Sequence, residues 1–273
     1  MNICKFKLLY VRVSQKIESF KLKILAMRFS LNLKGEFLME KSFHSFIIKA
    51  DGRFLKQDIQ AYYSLDYTNY GNPGNPDWIV EFKDDKSQYS FNSDVILGAC
   101  YEGEGQVIPF LNYLDENCKE DFVVCVVPRA KPHKSTHFRE FIRYAIRHTR
   151  KHYELGHNKY EGEYDIYIPE FSHIIDGTDY IRRIKDTRTT HFSTPDGGDN
   201  PYPGITKGTC AIIEEEIRDK NVLLIDDIYT HHHRNPQTRE KEFIGVCEDY
   251  LQALLDCGAK KVAFYAIAKT KQF

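Results

Sequence analysis

The 273-residue chain has no apolar run of membrane-spanning length, no CxxC pair, no internal repeat and almost no net charge. Each of these absences excludes a class of protein. A spanning helix needs about 20 consecutive apolar residues, so no membrane span is expected. The seven cysteines, Cys4, Cys100, Cys118, Cys125, Cys210, Cys247 and Cys257, are odd in number and scattered. That fits reduced thiols in a cytoplasmic protein better than a disulfide framework or a structural zinc site. With 38 Lys and Arg against 39 Asp and Glu, no bulk positive charge argues for a nucleic-acid partner, and only local patches could. The basic opening MNICKFKLLYVRVSQKIESFKLKILAMRF lacks the long apolar stretch and small-residue cleavage site of a secretory signal. It reads as a strand or helix, with an amphipathic membrane-surface segment as the alternative. Translation could begin at Met1, Met27 or Met39.

The chain then divides by pattern. Residues 1–114 form an N-terminal α+β region with no assigned role. SFHSFIIKADGRFLKQDIQAYYSLDY (Ser42–Tyr67) suggests a short strand, an Asp-Gly turn and a mixed element. NYGNPGNPDW is a loop by its two Asn-Pro steps. WIVEFKD and QYSF are strand candidates, followed by a helix or strand near Val95–Tyr101 and a helix from about Val107 to Leu114. The aromatics Tyr62, Tyr63, Tyr67, Tyr70 and Trp78 fit a core and, as the alternative, a platform on which a base could stack.

Residues 115–273 read differently. DFVVCVVP (Asp121–Pro128) is a continuous apolar run closed by proline, as a buried parallel strand would be. Phe138, Phe141, Ile142, Ala145 and Ile146 then recur at helical spacing, and Arg139, Arg143, Arg147 and Arg150 share the other face. That face is either solvated or an anion groove. NVLLID and KVAFYAIA are two more buried strands. A helix is expected between them, capped by Asn235 with Pro236 at its first position, carrying an apolar stripe from Phe243 to Leu255 and stopped by Gly258. Strand, helix and strand within about 45 residues make a βαβ unit, so this half is α/β with a mostly parallel sheet flanked by helices.

In open parallel sheets ligands bind beyond the carboxyl ends of the strands, where Asp226 and Asp227 fall. At least one of two adjacent carboxylates must face solvent or a ligand, because burying both is costly. Acceptor-only groups suit vicinal hydroxyls or a divalent cation, although a strand that merely ends in charge reads the same way. His231, His232 and His233 are consecutive and cannot all reach one ion. His148 and His152 are one turn apart on the long helix, but no HExxH sequence accompanies them.

VLLIDDIYT, followed by a helix ending ALLDCGAKKVAFYAI, resembles the signature of type I phosphoribosyltransferases. DFVVCVVPRAKPHK is similar to that family's first strand and pyrophosphate loop, most like the competence-protein and amidophosphoribosyltransferase-like branch. YIRRIKDTRTTHFS (Tyr180–Ser193) is similar to the segment ahead of its flexible region. The resemblance implies phosphoribosyl transfer from phosphoribosyl pyrophosphate to a nitrogenous acceptor, with Mg2+ as cofactor. It implies that Asp226 and Asp227 hold the ribose hydroxyls and the metal, and that Arg129, Ala130 and Lys131 line the pyrophosphate. It further implies that Thr230 begins the 5′-phosphate loop and that Arg182, Arg183 and Lys185 orient the diphosphate or the hood.

The family's Thr-Thr-Gly-x-Thr loop is not reproduced. Thr230 to Thr238 contains no glycine, and Pro236 removes one backbone donor. Either His231, Arg234 and Thr238 replace backbone N–H groups with side chains, or phosphate binding has been lost. In the second case the chain would be a non-catalytic nucleotide-binding or regulatory domain acting through a protein partner or as a homodimer. Thr190–Gly208, rich in Gly, Pro and Asp, reads equally as a passive loop or a lid over the ribose.

Overall fold

Phe122–Val126 and Val222–Ile225 are each uninterrupted buried runs. Strands with no polar side must be covered on both faces, and this pair anchors a three-layer arrangement. The computed structural model describes residues 30–31, 37–38, 43–68, 71–83, 94–118, 120–134, 136–158, 173–188, 198–234, 241–243 and 245–271.

The elements in order are β1 (Ser30–Leu31), β2 (Phe37–Leu38), β3 (His44–Ile48) and β4 (Ile59–Tyr67). A 3-10 helix (Asp77–Lys83), α1 (Asp94–Asn117), β5 (Phe122–Val126), α2 (His137–Asn158), β6 (Ile174–Asp176) and β7 (Ile181–Arg183) follow. The remainder comprises α3 (Ile205–Thr209), β8 (Cys210–Ile212), α4 (Glu214–Ile217) and β9 (Asn221–Tyr229). The last elements are β10 (His232–Arg234), β11 (Lys241–Phe243), α5 (Val246–Asp256) and β12 (Lys261–Thr270).

Two compact units divide between Ser42 and Phe43. In the first, β1 and β2 pair antiparallel. The second is built on a six-stranded sheet of order β3-β4-β12-β9-β5-β6, in which only β3 runs antiparallel to its neighbour. The α/β, largely parallel architecture is therefore as the sequence predicts. β4 lies beside β12 with Ala61 to Tyr67 paired to Phe264 to Thr270, so N-terminal residues complete the C-terminal sheet.

On one face, α1, α2 and the 3-10 helix cover Val124, Val126, Leu223, Ile225 and Tyr265. Phe82 stacks on Phe141 and Phe110 on Tyr265, with centroids 4.9 and 4.3 Å apart. On the other face, Tyr250, Leu251 and Leu254 of α5 cover Val123, Cys125, Val222, Leu224 and Phe264.

Three local expectations change. The described part of WIVEFKD, residues 78–83, lies in a 3-10 helix rather than a strand, because the residues it buries fully, Ile79 and Phe82, are spaced at the period of three. The segment after Ser93 is one helix, with Pro109 inside it. Ile96, Ala99, Cys100, Val107, Phe110, Leu111 and Leu114 make one continuous buried stripe, and Gly103 fills the gap in it. A Cβ there would sit 2.6 Å from the Phe141 ring, so this glycine is a close approach and not a break.

The helix expected from Asn235 starts at Val246. Residues 232–234 and 241–243 pair as an antiparallel ladder instead, which takes Phe243 out of the helical stripe. Asn235–Pro236 and QYSF lie outside the described residues. Gly258, at φ +87°, ends α5 as expected.

The basic face of α2 is only partly a solvated surface. Arg143 bonds Thr178 Oγ1 at 3.0 Å and pairs with Asp179 and Asp176, while Arg139 reaches Asp179 at 3.2 Å. These two guanidiniums fasten α2 to the turn between β6 and β7.

Candidate functional site at the carboxyl edge of the sheet

From β5 the chain crosses through α2 to β6, outward on one side. From β9 it crosses through α5 to β12, outward on the other, with its helix on the opposite face. β5 and β9 are thus adjacent parallel strands from which the connections diverge, and such a switch point opens a crevice at the carboxyl ends. Their pairing runs from Phe122↔Asn221 to Val126↔Ile225 and is extended by the Val127 N–H to the Ile225 carbonyl at 2.9 Å. The loop carrying Arg129, Ala130 and Lys131 and the end of β9 carrying Asp226 and Asp227 therefore leave the sheet side by side.

β9 is longer than the sequence suggests. It stays paired with β12 as far as Tyr229, so Asp226 and Asp227 are within the strand on that side, yet they lie beyond the last β5 pair. Asp227 is buried and Asp226 partly exposed. Asp226 accepts the Asp227 N–H at 2.9 Å and the Cys247 thiol at 3.3 Å, and Asp227 accepts the Ile228 N–H at 2.6 Å. Burial first, and then the Asp226 charge, push the Cys247 thiol well above its ordinary range, so it acts as a neutral donor.

The loop after β5 is held by its carbonyls. Arg183 Nε donates to Arg129 O at 3.1 Å, and Ala130 O accepts both the Thr187 N–H (2.9 Å) and the Thr187 hydroxyl (3.2 Å). The Lys131 ammonium is buried and lies 3.6 Å from Asp186, whose carboxylate is half exposed. A buried ammonium needs such a counter-charge.

The other wall is the start of α5. Asp249, buried, accepts the N–H groups of Gly204 and Thr206 (the latter at 2.7 Å), so it fixes the approach to α3. Glu248, also buried, accepts the Tyr229 hydroxyl at 2.9 Å and meets His231 Nδ1 at 3.0 Å. Thr230 shares a hydroxyl contact of 2.7 Å with Thr270.

The predicted site residues separate accordingly. Arg129, Ala130, Lys131, Asp226, Asp227, Thr230 and His231 border the switch point. Arg183 is not a surface cation. It bonds Thr209 Oγ1 and the Tyr250 hydroxyl and lies over the Tyr250 ring, so its role is to brace the Arg129 carbonyl. Arg182 is exposed and turned to Asp179 at 3.5 Å, toward the α2 cluster. Lys185 is exposed. Arg234 is placed only as the last residue of β10, and Thr238 lies outside the described residues.

Sequence reasoning missed Asp186, Thr187, Glu248 and Asp249. Glu248 and Asp249 interrupt the apolar stripe, and only the observed start at Val246 puts them in the first turn of α5; burial is what distinguishes them. Among the described residues, no group of three or more His, Cys, Asp or Glu side chains is arranged to hold a metal, and no helix is long and apolar enough to cross a membrane.

Fold and site together define an α/β protein with a mostly parallel sheet whose connections diverge between β5 and β9. No protein-family model, curated protein or solved structure matches the chain.

Proposed function

We propose that this crevice binds phosphoribosyl pyrophosphate and that the protein transfers the phosphoribosyl group to a nitrogenous acceptor, releasing pyrophosphate. One observation carries the reading. The Arg129–Lys131 loop and the Asp226–Asp227 pair, read from sequence as the pyrophosphate and ribose contacts, leave adjacent parallel strands at the point where the connections diverge. A donor with a charged diphosphate at one end and vicinal hydroxyls beside it needs these two chemistries next to each other.

In this reading Asp226 and Asp227 accept the ribose hydroxyls, while Arg129 and Lys131 face the diphosphate. The bond from the anomeric carbon to the diphosphate oxygen breaks as the acceptor nitrogen bonds that carbon, through an oxocarbenium-like state. Cationic side chains stabilise the charge that collects on the leaving group. Hard carboxylate oxygens suit Mg2+, which takes one or two carboxylates and otherwise substrate oxygens. Asp226 and Asp227 would hold it, and the ion would neutralise diphosphate charge.

Calorimetric titration of the donor with Mg2+ tests the proposal. Binding in the micromolar range is expected for the wild type, with roughly a hundredfold loss or more in Asp226→Asn/Asp227→Asn as two charge-assisted contacts disappear. A folded wild type that does not bind at millimolar donor sinks the reading.

The β10–β11 ladder and the glycine-free Thr230–Thr238 stretch favour a second reading, a non-catalytic nucleotide-binding domain acting through a partner. Pyrophosphate release with a panel of bases and amines separates the two: turnover with any acceptor requires the enzyme, and tight binding without turnover the regulatory domain.

A further inference from the structure

Three consecutive residues of α5, Cys247, Glu248 and Asp249, carry hydrogen-bonding side chains and are buried, at 7, 1 and 2 % exposure. Successive helical residues point about 100° apart, so one covered face cannot hide all three. The first turn of α5 is enclosed on more than one side. Cys247 donates to Asp226 and Glu248 accepts from Tyr229, both at the end of β9. Asp249 meets a different part of the chain. Its two oxygens accept the N–H groups of Gly204 and Thr206, one each, which is how a buried carboxylate is kept satisfied.

The segment that Asp249 holds is fastened at its other end as well. Asp199 bridges Thr187, its carbonyl accepts the Arg188 N–H at 2.8 Å, and Asn200 accepts from Arg188 at 3.0 Å. Gly198 permits this crossing, for it sits at φ +91° and a Cβ there would lie 2.7 Å from the Thr187 carbonyl carbon. Thr187 is also the residue whose N–H and hydroxyl hold the Ala130 carbonyl. One end of the segment is therefore tied to what positions the loop after β5. The other is tied to the helical turn that carries the partner of Asp226. Ile205 and Thr206 are buried near that second anchor, so the segment is packed there and not draped in solvent.

We infer that residues 199–206 are a strap that sets the spacing between the Arg129–Lys131 loop and Asp226, with Gly198 and Asp249 as positioning residues at its two ends. The strap is in place without a ligand, so these residues are neither a passive loop nor a lid. A ligand that reaches from the loop to Asp226 is measured by the strap without touching it. That the spacing serves phosphoribosyl pyrophosphate rests on the proposed crevice; the strap itself does not.

The test is amide hydrogen exchange, read by NMR on the full chain without ligand, for the wild type, Asp249→Asn and Gly198→Ala. Asparagine keeps the shape of aspartate but turns an NH2 toward one of the two N–H groups, which opens that end. Alanine at 198 meets the Thr187 backbone and opens the other. Each variant should speed exchange about tenfold at both ends, at Gly204 and Thr206 and also at Thr187 and Arg188, because the strap moves as one piece. The amides of Val123–Cys125 and Val222–Leu224 should keep their wild-type rates, which shows the sheet intact. Trypsin gives a second reading: Lys207 is exposed but lies within α3, and it should be cut readily only in the variants.

Loosening confined to the mutated end overturns the inference, because the two anchors then act separately. So does a wild type whose Gly204, Thr206 and Arg188 amides exchange as fast as exposed ones, and so does loosening that reaches the central strands equally. Titration with magnesium phosphoribosyl pyrophosphate separates the strap from the donor reading. Binding weakened about tenfold in both variants, alongside two-ended loosening, supports the two together. Two-ended loosening in a protein that binds no donor supports the strap and removes the donor reading. Unchanged exchange with equal donor binding in all three proteins does the reverse.

Discussion

At the scale of single residues, the interior is rich in groups that must stay neutral. Burial pushes the Cys100 thiol up to about 12 and raises those of Cys125 and Cys247 as well. Above pH about 9 these thiols ionise readily once the chain unfolds but not while it is folded. The folded state then binds more protons than the unfolded one, so stability falls as pH rises. Their contribution is fully present below that pH and is lost as the pH climbs toward the folded value. Urea unfolding at pH 7.5 and 9.5 should show the decline, and Cys100→Ala should flatten it even though the substitution itself opens a small cavity. A stability that rises over this range would contradict the buried, neutral thiols. The phenols of Tyr229, Tyr250 and Tyr265 are raised as well, burial being the largest cause for each, and they extend the same trend to higher pH.

At the scale of elements, the start of α5 depends on Gly245, which sits at φ +66° with Phe54 ring atoms 2.7–2.8 Å from where a Cβ would lie. Gly245→Ala meets both the left-handed backbone penalty and a clash with a buried ring. It should cost roughly 2–4 kcal/mol of unfolding free energy, measurable by denaturant titration, and a change below about 0.5 kcal/mol would show that the ring moves aside freely. The same region marks how far the sequence could be read. β5, β9, α2 and β12 announced themselves through long one-period apolar patterns, and so did the stop at Gly258. The start of α5 did not, because Asn-Pro imitates a helix entry while the pairing of residues 232–234 with 241–243 depends on contacts that no local pattern carries. In the candidate site, the two aspartates stand out as adjacent carboxylates at a strand end, whereas Lys131 is singled out only through the resemblance of its loop. Arg183 was legible as a cation but not as a brace, since its partners Arg129, Thr209 and Tyr250 are brought to it only by folding.

At the scale of the molecule, β4 makes the N-terminal residues part of the same core as the crevice. Tyr265 of β12 bonds Ser64 at 2.8 Å and the Gln106 carbonyl at 3.1 Å, so three distant stretches meet at one phenol. A chain beginning at Phe43 should unfold in a single cooperative transition. A chain beginning at residue 68 lacks β3 and β4, leaves one edge of β12 unpaired and should aggregate or lose its near-UV circular dichroism. Native-like cooperativity in that shorter chain would make β3 and β4 accessory. Arg183 has a consequence on this scale as well. One guanidinium bonds the Arg129 carbonyl on the wall after β5 and the Tyr250 hydroxyl of α5 on the other, so the two walls share a free energy. Whatever a ligand gains by ordering one wall is felt in the amide exchange of the other, and thermodynamic reciprocity makes the effect equal in both directions.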